Sequence, residues 1–265
     1  MKTLCSLLVA LTALLGGCAP GPGARVDFDA AALRRVQVAP LVLDGSLANA
    51  LILGEGRLLT CSHAIPRGRR HFDALLAGRP VAIEVLRSGD DLRTVWPAPW
   101  DPAHPPDPTT DWALLRFEPT KEPGPVPAGP DAMSDEPPYI GESVFVVGYL
   151  VEENRYVRKF APALVTQRPK QQYQSLGETL IWLQGPGSKA TRPQGANGPH
   201  APEYPGILQR GLSGSPVVRR TPTGDLRVCA MLVGVDYPDA GTGAEVAVAI
   251  PIPRSRIGEG PNAGR

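Results

Sequence analysis

Three residues stand where apolar runs begin or end and carry the types needed to move a proton or attack a carbonyl. His63 closes the run Leu58-Leu59-Thr60-Cys61-Ser62-His63-Ala64; the other histidines, His71, His104 and His200, have no such setting. Asp111 opens Asp111-Trp112-Ala113-Leu114-Leu115-Arg116-Phe117. Ser213 lies in Gly211-Leu212-Ser213-Gly214-Ser215-Pro216-Val217-Val218, with glycines on either side just ahead of an apolar stretch. A nucleophilic serine needs a base to take its proton, a carboxylate to orient that base, and backbone N–H groups aimed at the developing oxyanion. Glycine beside the serine suits this chemistry, because a tight turn with both amides pointing inward is hard to build around a Cβ. Taken singly, each piece has an ordinary structural explanation: a hydrogen-bonded surface histidine, a turn aspartate and a Gly/Ser/Pro turn.

The elements that must position these residues read as short strands. Gly (29) and Pro (31) together make about 23% of the 265 residues, too much for a helical bundle. The 42% hydrophobic and 20% charged content supplies a core. Apolar, turn-separated stretches fall at Val36–Leu43, Leu47–Leu53, Arg57–Thr60, Val81–Arg87 and Trp112–Phe117. A second group falls at Ser143–Tyr149, Arg155–Gln167, Thr179–Gln184, Pro216–Arg220, Leu226–Val235 and Ala244–Ile250. Weak helical periodicity occurs around Phe72–Ala77. Residues 119–138 are proline-rich and connect the groups, and residues 185–206 form a second Pro/Gly-rich stretch. No internal sequence repeat is evident. The organisation predicted is all-β, with two barrels or sandwiches of about five or six strands each. With 27 basic against 26 acidic residues and no basic block, nucleic acid is not expected as a partner.

Taken together, the three strings resemble the trypsin/chymotrypsin-like serine protease family. The segment around His63 is similar to that family's Thr-Ala-x-His, and Asp111-Trp112-Ala113-Leu114 to its Asp-x-Ala-Leu. Gly211 to Pro216 resembles Gly-x-Ser-Gly-Gly-Pro, with Ser215 replacing the second glycine as in some bacterial members such as glutamyl endopeptidases. The order His, Asp, Ser is the family's, with gaps of 48 and 102 residues. Val144–Tyr149 also looks like an early strand of the second barrel in bacterial members.

The resemblance implies two six-stranded-type antiparallel β-barrels with the site in the cleft between them. It implies a protein or peptide substrate, Ser213 as nucleophile, His63 as general base and then acid, and Asp111 as its orienting partner. The N–H groups of Gly211 and Ser213 would form the oxyanion hole, and no metal or organic cofactor is implied. Leu212 stands where zymogen-activated members carry an aspartate that pairs with a freed N-terminus, so activation by N-terminal insertion is not expected. Ile207 falls near the base-of-pocket position and offers no charge to favour Arg or Lys substrates.

An α/β-hydrolase needs a histidine after its serine, and none follows Ser213. A subtilisin-like order from Asp44, His63 and Ser213 lacks both the motif around the histidine and the helices of that fold. The alternative from another class is a catalytically silent barrel protein acting as a binding or scaffold module.

The chain opens with Lys2, an apolar run from Leu4 to Leu15, and Leu15-Gly16-Gly17-Cys18. About a dozen apolar residues are too few to span a bilayer. The pattern resembles a bacterial lipoprotein signal (residues 1–17), which implies lipid on Cys18, membrane attachment and a place in the bacterial cell envelope. Ala19 gives no signal for inner-membrane retention, which favours the outer membrane. Residues 18–35 then form the lipidated terminus and tether, 36–118 the first barrel, 139–257 the second, and 258–265 a tail. Only 52 residues follow Ser213, so no appended peptide-binding domain is expected within this chain. Cys61 and Cys229 remain after Cys5 and Cys18 are set aside, and they can form one disulfide or stay as two buried thiols. No metal-ligand spacing is present, and the sequence is silent on oligomeric state.

Overall fold

Two-residue turns set the register of the strands. Leu43 pairs with Ser46 across Asp44-Gly45, whose φ angles are 46° and 80°. Both central residues of this hairpin turn need φ > 0, which Asp-Gly tolerates better than most pairs. The computed structural model describes residues 30–89, 108–118, 133–134, 136–167, 180–184, 211–236, 246–252 and 257.

After the short helix α1 (Ala30–Arg34), six strands form the first unit: β1 (Val38–Leu43), β2 (Ser46–Gly54), β3 (Arg57–Thr60), β4 (His71–Leu76), β5 (Arg79–Ser88) and β6 (Ala113–Phe117). Six more form the second: β7 (Ser143–Glu152), β8 (Arg155–Thr166), β9 (Ile181–Gln184), β10 (Pro216–Arg220), β11 (Leu226–Asp236) and β12 (Val246–Pro251). Each set closes into an antiparallel barrel, in the orders β1-β2-β3-β6-β5-β4 and β10-β11-β12-β9-β8-β7. Numbered from its own first strand, each barrel has the same cyclic order, although the two sequences show no repeat. Closure leaves no strand edge unpaired, which suits a chain made of many short strands.

One expectation is corrected here. The segment around Phe72–Ala77 is strand rather than helix: β4 alternates exposed and buried, with Phe72, Ala74 and Leu76 inside and His71, Asp73 and Leu75 outside. That period of two fits a half-buried strand, and pairing with β1 and β5 overrides the weak helical signal.

Three apolar clusters account for the core. Leu41, Leu58, Ile83 and Leu115 fill the first barrel, and Val146, Leu183, Leu212 and Leu232 fill the second. A third cluster joins them, with Leu51, Leu59 and Trp112 from one side meeting Phe145, Val147, Trp182 and Met231 from the other. Burying apolar area at the junction, at about 25 cal/mol per Å², holds the barrels in fixed relation. Arg158 on β8 also donates to the carbonyls of Leu33 and Val36, fastening the segment ahead of β1 onto the second barrel. Its guanidinium lies over the rings of Tyr149 and Phe160. No helix among the described residues is long and apolar enough to cross a membrane.

Candidate active site

His63 and Asp111 are brought together by strand ends of one barrel. β3 pairs with β6 so that Thr60 lies opposite Ala113, which sets the residues beyond both at the same rim. There a single 3-10 turn, Ser62–Ala64, presents His63, and Asp111 follows a second such turn, Pro108–Thr110. His63 Nδ1 lies 2.7 Å from Asp111 Oδ2, and the His63 N–H donates to Asp111 Oδ1 at 2.9 Å. The Ser62 hydroxyl donates to the same Oδ1 at 2.9 Å. A buried carboxylate is costly without such partners, and Asp111 is 7% exposed. The His63 ring is therefore held by a group that is itself held at two further points.

Ser213 occupies the corresponding connection of the other barrel, between its third and fourth strands, just ahead of β10. The Gly214 N–H donates to the Leu232 carbonyl at 2.8 Å, and the Ser215 N–H to the Leu212 carbonyl at 3.0 Å. Leu212 is buried in the second barrel's core and anchors the loop there by an apolar side chain. Among the described residues, the N–H groups of Gly211 and Ser213 have no backbone acceptor.

The two halves meet at one carbonyl. Leu232 O, which accepts from Gly214, also accepts the Cys61 thiol at 3.2 Å. Cys61 is two residues before His63, and Gly214 is one after Ser213. A register shift in the β11–β12 pairing between Leu232 and Gly234 places a bulge at this point, a common device beside functional sites. Gly214 has φ +82°, and a Cβ there would overlap the Asn49 carbonyl oxygen and lie 2.6 Å from Thr60 Oγ1. Both conformation and space therefore demand glycine after the serine. Ser215 fits in place of the family's second glycine because Gly148 stands opposite; a Cβ on Gly148 would overlap the Ser215 hydroxyl.

Cys61 and Cys229 are two separate buried thiols, the second of the two arrangements the sequence left open. Each is occupied inside its own surroundings: Cys229 donates to the Val217 carbonyl at 3.4 Å, while Cys61 bonds across to Leu232. Burial, with the Asp111 charge second, pushes the Cys61 thiol well above its ordinary value. Burial, and then Glu142, raises Cys229 to about 12. Cys61, His63 and Asp111 do bring potential metal-ligand atoms within 4.8 Å of one another. Two of these atoms, His63 Nδ1 and Asp111 Oδ2, are already engaged with each other at 2.7 Å.

Sequence reasoning missed Asn49, which is fully buried on β2 and bonds across to the Ser213 loop. Its signal was available, since Asn49 is the lone polar residue in Leu47–Leu53 and asparagine is uncommon inside strands. Ile207 and Cys18 lie outside the described residues.

The family model for the trypsin-like peptidase domain matches residues 48–226, about two-thirds of the chain. No curated protein is detectably similar in sequence. Among solved structures, neuropsin, a serine protease expressed in the limbic system of mouse brain, is 15% identical with TM-score 0.51, covering 84% of this chain and 92% of its own. The thermostable serine protease AL20 from an extremophilic microorganism is 12% identical with TM-score 0.50, covering 83% and 92%. Rv3671c from Mycobacterium tuberculosis is 17% identical with TM-score 0.49, covering 86% and 89%. At such identities the likeness is one of fold, and it is the double barrel that neuropsin and AL20 share with this protein. The family match spans the strings around His63, Asp111 and Ser213, and on it the chain belongs to the trypsin-like peptidase family.

Proposed function

We propose that this protein is a serine endopeptidase that works through Ser213, His63 and Asp111 and an acyl-enzyme. Ser213 Oγ attacks the scissile carbonyl carbon and gives its proton to His63, whose Nδ1–H donates to Asp111 Oδ2. The N–H groups of Gly211 and Ser213 receive the oxyanion. As the C–N bond breaks, His63 returns the proton to the leaving amine, and water then releases the acyl group by the same route in reverse. The observation that carries the reading is the tie at Leu232 O, which draws the string of His63 and the loop of Ser213 to one point while Asp111 orients the imidazole. Ile207, which by sequence falls near the family's base-of-pocket position, carries no charge that would favour Arg or Lys side chains. The enzyme works at the bacterial cell envelope, held by lipid on Cys18, in the outer membrane.

The test is a fluorophosphonate probe on the full chain, with the adduct mapped by mass spectrometry. Labelling at Ser213 that disappears on denaturation and in His63→Ala is the expected result. A folded protein that does not label would overturn the catalytic reading and leave the silent binding module. Metabolic labelling with an alkynyl fatty acid, lost in Cys18→Ser, tests the anchor.

A further inference from the structure

We infer that Asn49 is a positioning residue of this site, a first-barrel side chain that fixes the peptide between Gly211 and Leu212 and so aims the oxyanion-binding loop of the second barrel. The inference rests on the serine-peptidase reading above and deepens it.

Asn49 reaches the second barrel through its backbone and through both ends of its amide. Its N–H donates to the Ser213 carbonyl at 2.7 Å. Its Nδ2 donates to the Gly211 carbonyl at 2.6 Å and to the Tyr149 carbonyl at 3.2 Å, and its Oδ1 accepts the Tyr149 N–H at 2.7 Å. The orientation of the amide is thus unambiguous, since the oxygen faces a donor and the nitrogen faces two acceptors. Thr60 locks the residue from behind by donating to the Asn49 carbonyl at 2.7 Å. The primary amide acts as one peptide group of an extra strand: it pairs with both the N–H and C=O of Tyr149 on β7, and its second proton is left for Gly211.

That second proton matters because Gly211, like Gly214, has a glycine's freedom to turn, and Asn49 Nδ2 fixes its carbonyl. The φ of Gly211 is +101°, a region where glycine has little preference between alternatives. Leu212, the next residue, anchors only its own side chain in the core. An apolar anchor resists withdrawal but does not prescribe the direction of the neighbouring carbonyl, whereas a hydrogen bond does. Leu47, two residues before Asn49 and on the same face of β2, adds packing from the same side: a Cβ on Gly211 would lie 3.2 Å from its Cδ2. First-barrel residues on one face of β2 therefore grip the loop at Gly211 and Ser213.

The test is Asn49→Ala in the full chain, with Asn49→Ser as a second variant that leaves a small polar group in the buried site; both keep the backbone bonds to Ser213 and Thr60. Two measurements are made on folded samples: hydrogen exchange in peptides covering residues 207–216, and the rate of fluorophosphonate labelling at Ser213. The expected result is faster exchange confined to those peptides and labelling slowed by about 10- to 100-fold, a part of what losing one oxyanion donor costs. With a peptide substrate, kcat should fall and KM should change little. Exchange at the wild-type rate in residues 207–216 overturns the inference whether or not the protein proves to be an enzyme. Loosened exchange together with wild-type labelling overturns it as well, because the bond would then be merely structural. A wild-type protein that does not label fails the peptidase reading by itself. If Asn49→Ala does not fold, Asn49→Ser, too short to span Tyr149 and Gly211 together, is read by the same two measurements.

Discussion

His63 and Asp111 hold each other within the first barrel, whereas the Ser213 loop is fastened to its own barrel through Leu232 and Leu212 and to the other barrel through Asn49. The carboxylate–imidazole pair is therefore a local structure, although the Cys61 thiol next to it reaches Leu232 of the second barrel. Three donors from Ser62 and His63 meet one carboxylate, and a change elsewhere need not disturb them. The second half is a joint product of both barrels, so anything that shifts the barrels relative to each other moves Ser213, the proposed nucleophile, and the N–H groups proposed to receive the oxyanion together. The apolar junction of Leu51, Leu59 and Trp112 with Phe145, Val147 and Trp182 is then part of the machinery in an indirect sense. It holds the surface across which Asn49 must reach.

The sharpest way to break the local half is Asp111→Asn. The His63 backbone N–H cannot rotate away from position 111, so the variant's amide oxygen must face it and its NH₂ must face His63 Nδ1. Nδ1 then becomes an acceptor, the proton sits on Nε2, and the imidazole cannot take a proton from Ser213. Turnover should fall by about 10⁴-fold with the fold retained. A steady-state assay with a thermal melt checks both, and near-normal turnover would show that another carboxylate orients the ring.

Gly214→Ala is the corresponding break in the joint half. The new methyl would strain a φ of +82° and overlap the Asn49 carbonyl oxygen, which belongs to backbone that Thr60 holds in place. The loop must yield, and Ser213 and its N–H yield with it. We expect kcat to fall by roughly 10²–10³-fold, together with a loss of stability of about 1–3 kcal/mol. Because the strain falls where the barrels touch, hydrogen exchange should rise in the 207–216 peptides while the strands flanking His63 and Asp111 keep their protection. An even rise across both halves would erase the distinction between them.

The two thiols extend the comparison, since Cys61 bonds across the barrels and Cys229 stays within the second. Neither should react with a maleimide in the native protein, and both should react after denaturation without reductant. For Cys229 the sign of the pH effect follows from its raised value. The unfolded thiol loses its proton near 9 and the folded one near 12, so the stabilisation is complete below pH 9 and fades as the pH climbs between the two. Urea melts at pH 8 and pH 10.5 read this directly: a midpoint that does not fall at the higher pH contradicts a buried, protonated thiol.

What the sequence made legible divides along the same line. His63, Asp111 and Ser213 stand in contiguous strings whose turn and strand signals are local, and most strands were readable from β-branched runs between turns. β4 was not, because Leu75 on its exposed face blurred the alternation and pairing with β1 and β5 decided the matter. The common cyclic order of the two barrels is written in pairings and not in residue types, so no repeat betrays it. Asn49 was missed for a related reason. Its partners Tyr149 and Gly211 lie 100 and 162 positions away, and nothing short-range says that a buried amide in an apolar strand will serve the other barrel.

The smallest expected effect concerns Ser215, which stands where many relatives have glycine. It is fully buried, and among the described residues its hydroxyl has no hydrogen-bond partner. An unpaired buried hydroxyl costs about 1–3 kcal/mol of desolvation, while the atom itself fills space that Gly148 leaves open. Ser215→Ala removes the polar atom and keeps the Cβ, so desolvation relief and the loss of packing oppose each other. Relief should win, raising stability by about 1 kcal/mol and Tm by roughly 2–4 °C, the scale for a protein of this size. Ser215→Gly vacates more of the space opposite Gly148 and admits a freer backbone, and it should melt below Ser215→Ala. If Ser215→Ala instead melts lower than the wild type by more than the lost packing of one oxygen atom explains, the hydroxyl has a partner in the native protein. The joint half of the site would then contain one more polar link than Asn49 provides.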